Sequence, residues 1–157
     1  IIILSLILFK NIKNIFFSLI FTTLFFLFIV SPFKNKESSL EWIKFDKITL
    51  NNLIQKNKIV LLDFTADWCI TCQLNKKTTL ENKNLQIFFK KENVFLMRGD
   101  WTKRDEKILN FLKSYDRLGI PVNIIYGPNN KKGIILPEIL TKQIVINNIN
   151  KVRENEN

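Results

Sequence analysis

The sequence predicts an α/β domain, with a mixed central sheet between helices, preceded by a transmembrane helix. Three observations predict it. An apolar run from Ile15 to Val30 is softened only by Ser18, Thr22 and Thr23. A strand-like run, Ile59 to Phe64, leads at once into the two cysteines of the chain, Cys69 and Cys72, and then into helix-forming composition from Gln73 to Lys77. From Leu40 onward the segments follow the order β-α-β-α-β-α-β-β-α, which layers helices against one sheet.

The chain begins with Ile1 to Phe9, apolar apart from Ser5 and too short to span a bilayer. It reads as the tail of a preceding span. Ile15 to Val30 is sixteen residues, about 24 Å as a helix. With Ile12 and Phe33 included it reaches the roughly 30 Å of a bilayer core. A signal peptide is the rival reading, but Ser31-Pro32-Phe33-Lys34 offers no small-x-small cleavage site. Residues 1–33 are therefore expected to be a membrane segment. Together with the absence of a starting Met, they suggest a fragment whose upstream part is missing. Lys10 and Lys13 on one side balance Lys34 and Lys36 on the other, so charge does not orient the span. Residues 34–39 read as a polar linker, 40–152 as the folded domain and 153–157 as a frayed tail.

Within the domain, Leu40 to Phe45 suggests a first strand and Asp46 to Lys56 a short helix with Ile48, Leu50, Leu53 and Ile54 apolar. Ile59 to Phe64 is the central strand. The helix after the cysteines is expected to break near Thr78-Thr79, and a second helical stretch runs from Asn84 to Lys91. Val94 to Arg98 is a strand ending at Gly99-Asp100. Asp105 to Leu118 has Ile108, Leu109, Phe111, Leu112 and Tyr115 at helical spacing, with Arg104 and Asp105 at its start and Gly119 as its C-cap. Pro121 opens a strand, Val122 to Tyr126. Gly127-Pro128-Asn129-Asn130 is a turn, Lys132 to Leu136 an antiparallel edge strand, and Thr141 to Val152 the last helix.

The cysteines form a C-x-x-C pair delivered by a strand to a helix start, the arrangement of a thiol–disulfide redox site. Residues three apart share a helix face, so the two sulfurs can close and reopen a small disulfide. Cys69 would sit at the helix N-terminus, where free N–H groups and the macrodipole favour an anion. A lowered pKa makes it the nucleophile, and the more shielded Cys72 resolves the mixed disulfide. A zinc or iron–sulfur site is excluded as a self-contained centre, because two cysteines and no histidine cannot supply four ligands. Covalent haem attachment needs His after the second cysteine, and Gln73 stands there. No metal and no bound cofactor is expected; the disulfide itself carries the electrons.

These residues resemble the thioredoxin superfamily, and more closely the C-terminal thioredoxin-like domain of the DsbD family, the transmembrane thiol:disulfide interchange proteins. The likeness runs through four ordered blocks: Asp63 to Cys72, Gly99 to Asp105, Gly119-Ile120-Pro121-Val122, and Leu136 to Thr141. It implies a thioredoxin-like fold. Asp63 lies inside an apolar strand, where a charge is costly unless protonated or paired; the resemblance implies that it lies under the site, where a buried Asp with a raised pKa can take a proton from Cys72, and the alternative is a strand-end carboxylate that simply reaches water. Pro121 matches the superfamily's cis-proline, and the backbone of Ile120 could pair with an incoming substrate strand. Trp68, before the nucleophile, packs the active-site surface, contacts partners or is an ordinary aromatic cap on the core. One departure stands out: Lys76 occupies a position, four after Cys72, that is often acidic in the family.

The chain has 157 residues and a net charge of +10. Its basic residues are spread among many Asn and Ile without an aromatic-interleaved patch, so no nucleic-acid partner is expected. The resemblance implies a protein-disulfide reductase on the periplasmic side of the inner membrane. Electrons would come from a membrane-embedded donor domain with its own cysteine pair and go to disulfide-bearing proteins outside the cytoplasm, with the lipid bilayer as anchor. Spacing alone is equally consistent with an oxidase or isomerase, because direction depends on potential. Two further readings stay open: a stand-alone anchored thioredoxin for cytochrome c maturation, and a redox-inactive binding module of the same fold.

Overall fold

The computed structural model describes residues 20–23 and 41–153. The chain divides into two units, Ile1–Glu37 and Ser38–Asn157. The expected membrane segment and linker lie outside the described residues, apart from the helical stretch 20–23. Among the described residues no helix is long and apolar enough to cross a membrane.

Among the described residues five strands form one sheet in the order β1-β3-β2-β4-β5. They are β1 (Ile43–Lys44), β2 (Val60–Thr65), β3 (Phe95–Asp100), β4 (Val122–Gly127) and β5 (Asn130–Ile135). β3 runs parallel to both β1 and β2, while β4 runs antiparallel to β2 and β5. β2 is the centre of the sheet and all six of its residues are buried. The helices are α1 (Lys47–Gln55), α2 (Ile70–Asn75), α3 (Lys83–Lys91), α4 (Glu106–Lys113) and α5 (Lys142–Arg153).

Alternation along β2 builds two cores, since successive strand residues face opposite sides. Val60, Leu62 and Phe64 pack with Leu50 of α1 and Ile108, Phe111 and Leu112 of α4. Leu61 packs on the other face with Leu85 and Phe89 of α3 and Val145, Ile149 and Val152 of α5. Phe45, Phe64 and Phe111 meet with ring centroids 4.9–5.4 Å apart. A Cβ on Gly99 would lie 2.3 Å from the Phe64 ring, so only glycine lets β3 pass this aromatic.

The helix ends differ from expectation in an instructive way. α4 stops at Lys113, and Gly119 is not its cap. Instead Asp116 takes the left-handed conformation, φ 56°. Its N–H reaches Lys113 O at 3.0 Å and that of Arg117 reaches Leu112 O at 3.1 Å, a Schellman closure. Asn57 and Asn93, φ 53° and 51°, close α1 and α3 with the same bond pattern. In a chain with four glycines, Asn and Asp supply the left-handed positions at these three helix ends, which their short polar side chains tolerate.

The stretch after α2 does not break at Thr78-Thr79. It widens into a π-helical segment, Lys76–Leu80. Arg104 lies outside α4 in the left-handed region, and Asp105 alone caps the helix, accepting from Lys107 and Ile108 N–H. β1 is shorter than expected, β5 begins at Asn130 beside the two-residue Pro128-Asn129 turn, and Arg153 is still helical.

Candidate active site

β2 ends at Thr65, and a tight turn of Ala66, Asp67 and Trp68 carries the chain to Cys69. Cys69 is the N-cap of α2, with extended backbone, and its Sγ accepts the N–H of Cys72 at 3.2 Å. The two cysteines form a disulfide with Cα atoms 5.2 Å apart. Cys69 is 7 % exposed and Cys72 2 %, so the first cysteine is the more open of the two. In the reduced state the same N–H donor and the helix start would stabilise a Cys69 thiolate.

Several contacts hold this turn. Gln73 Nε2 donates to Ala66 O at 3.2 Å. Asp67 N–H donates to Thr102 Oγ1 at 3.0 Å, and Trp68 Nε1 to Thr102 O at 3.2 Å. Trp68 is half exposed. Its ring lies 6.1 Å from that of Trp101, with the Arg104 guanidinium 5.7 Å away. Trp68 thus rests against Trp101 and stays half open to solvent. Trp101 is buried, and Tyr115 is part-buried.

The Ile120–Pro121 peptide is cis. Ile120 packs against Ala66, Cys69 and Cys72, which brings this backbone beside the disulfide. A groove of about 510 Å³ continues from it, lined by residues that include Leu118, Ile120, Pro121, Leu136 and Pro137.

Asp63 lies on the β2 face that also carries Leu61, and it is 3 % exposed. Arg98 Nε donates to its Oδ2 at 2.9 Å. Burial pushes the carboxyl above its ordinary range, against the opposing pull of Arg98 and Lys76. The two influences compete, and burial is the larger because a carboxylate loses its water on every side. Lys76 therefore acts as a second cation toward Asp63. Arg98 is itself held from behind, its guanidinium 3.8 Å from the Trp42 ring centroid.

The staple that fixes the back of the active-site helix is not legible in the sequence. Asn75, buried, donates from Nδ2 to Glu138 O at 2.7 Å and accepts the Leu140 N–H at 2.9 Å. Thr79 Oγ1 donates to Leu140 O at 2.9 Å. These bonds pin the Pro137–Leu140 loop to α2 and leave Ile70, Leu74 and Ile139 exposed. Arg98 was also missed as a site residue, since its partner is 35 positions away in sequence.

A thioredoxin-like family model matches residues 47–128. The chain belongs to the thioredoxin-like family. Among curated relatives, the thiol:disulfide interchange protein DsbD of Campylobacter jejuni is 31% identical over 100 residues, 60% of this chain and 17% of the relative. DsbD of Vibrio cholerae is 36% identical over 66 residues, 42% of this chain and 11% of the relative. The chain spans under a fifth of the length of these relatives. Among solved structures, the reduced C-terminal domain of Neisseria meningitidis DsbD aligns with a TM-score of 0.56 at 22% identity, covering 71% of this chain and 100% of that one. That likeness establishes the fold, and the thioredoxin-like domain described here fits a DsbD C-terminal domain.

Proposed function

We propose that this chain is the thioredoxin-like part of a membrane-tethered thiol:disulfide oxidoreductase that reduces disulfides of proteins outside the cytoplasm. The observation that carries the reading is the Cys69–Cys72 pair at the start of α2, with the more exposed cysteine as N-cap. In the working direction the Cys69 thiolate attacks a substrate disulfide and one substrate thiolate leaves. Cys72 gives its proton to the Asp63 carboxylate and attacks Cys69 Sγ. The second substrate thiolate leaves and both take up protons. Two electrons pass to the substrate and the pair is left as a disulfide.

The reverse exchange recharges the pair from a dithiol in a membrane-embedded donor. Direction, tether and location rest on the likeness to DsbD, whose name states thiol:disulfide interchange. Backbone pairing by Ile120 beside the cis-proline would hold the substrate strand, with Trp68 at its rim.

Trapping in cells tests the reading. The Cys72→Ser chain cannot resolve its mixed disulfides, so rapid acid quenching should preserve Cys69 adducts with extracytoplasmic proteins and with a membrane protein. Adducts confined to cytoplasmic proteins would contradict the location. No adducts at all would leave the redox-inactive binding module.

A further inference from the structure

Beside Asp63 stands a group that neither the cysteine chemistry nor the fold has used. Asn123 of β4 is the antiparallel register partner of Asp63. It lies two residues before Ile125, on the face that Leu61 and Ile125 share, so it flanks Asp63 on the same side of the sheet. Arg98 of β3 is the register partner on the other flank. Asn123 is 1 % exposed, yet neither Nδ2 nor Oδ1 has a hydrogen-bond partner among the described residues. Thr65 Oγ1, two residues beyond Asp63 on the same face, is likewise buried and unpartnered, as is Arg98 Nη2.

Four unmade hydrogen-bonding positions around one carboxyl are not the mark of a structural core. An apolar residue at 123 would fill the space without the cost of an unpaired amide. An ordered water, which needs two to four partners, would satisfy a polar site of this kind.

We propose that Asn123 is a positioning residue for Asp63, joined to its carboxyl through a water that the Thr65 hydroxyl also holds. An amide suits the task because it offers both donor and acceptor. Nδ2 supports the carboxylate through the water's oxygen, and Oδ1 orients the water to accept from the carboxylic acid. Asp63 can then gain and lose the Cys72 proton without leaving a buried group unsatisfied in either state.

The groups that the structure places against Asp63 from other elements are Arg98 from β3, Lys76 from the π-helical segment and Asn123 from β4. Of these, Asn123 is the one whose partners the structure leaves open on both atoms. The inference rests on the proposed dithiol chemistry.

The test uses the full chain, reduced, with 5,5′-dithiobis(2-nitrobenzoate) as probe. Attack by Cys69 releases one thionitrobenzoate and resolution by Cys72 releases the second. Asn123→Leu should slow the second release about fivefold at neutral pH, the loss of one hydrogen bond. It should also move its pH midpoint upward. The effect should vanish in the Asp63→Asn background. An unchanged pH profile in folded Asn123→Leu would overturn the inference, as would an equal slowing with and without Asp63. Absence of a second release in the parent chain would instead sink the proposed function.

Should Asn123→Leu fail to fold, the reduced wild-type chain answers by NMR. The Asn123 side-chain amide resonances should titrate with Asp63; resonances that stay constant through that titration would overturn the proposal.

Discussion

Cys69→Ser is expected to abolish disulfide exchange, with a loss of at least ~10³-fold, because serine cannot form the attacking thiolate. Cys72→Ser should fail differently. Its Cys69 keeps the N-cap position and the cap N–H donor, since that donor is backbone. First attack on a substrate disulfide should persist at a comparable rate, and turnover should stop at the mixed disulfide. Stopped-flow release of one leaving thiol followed by mass spectrometry of the adduct checks both. Equal loss of first attack in the two variants would mean that the sulfurs are not distinguished by their places on α2. The asymmetry is physical: one cysteine is the helix cap and the more exposed residue, the other is one turn inside and more deeply buried.

Asp63→Asn should slow the resolving step by ~10²-fold near neutral pH, the usual scale for loss of a positioned proton acceptor. The deficit should narrow as the pH approaches the range where a thiol ionises unaided, about 8.5. A pH-independent deficit, or none, would contradict the role given to Asp63. The same residue makes a stability prediction. Its carboxyl is held above its ordinary range, first by burial, with Arg98 and Lys76 pulling the other way. Between the ordinary and the raised pKa the fold binds a proton that the unfolded chain does not. The stability this contributes is full below the unfolded pKa and is lost as the pH rises through the folded one. Wild-type stability should therefore fall over that window and Asp63→Asn should remove the fall, as urea unfolding at a series of pH values would show.

Asp63 was legible in the sequence because a lone carboxylate among Val60, Leu61, Leu62 and Phe64 must be protonated or paired. The strand, the C-x-x-C and the helix start were legible together because they are local in sequence. So was the order of elements, since apolar periodicity records which face each segment buries. The rest depended on contacts between distant segments. Asn75 reads as one more polar residue until Glu138 and Leu140 are brought beside it. Arg98 reads as a surface cation until β3 lies against β2. Asn123 looks out of place in an apolar strand, but only the register with Asp63 gives it a neighbour. The helix ends were misjudged at Gly119 for a different reason: the chain uses Asp116, Asn57 and Asn93 where glycine is the usual signal.

Cys69 and Cys72 are proposed to form a reducing pair. The most direct measurement is the reduction potential of the purified chain, from the ratio of dithiol to disulfide after equilibration with glutathione or dithiothreitol. A potential near that of thioredoxin, about −270 mV, is the result expected for a donor of electrons to other disulfides. A potential near −120 mV, that of a strong oxidant, would contradict the direction of transfer proposed for this domain.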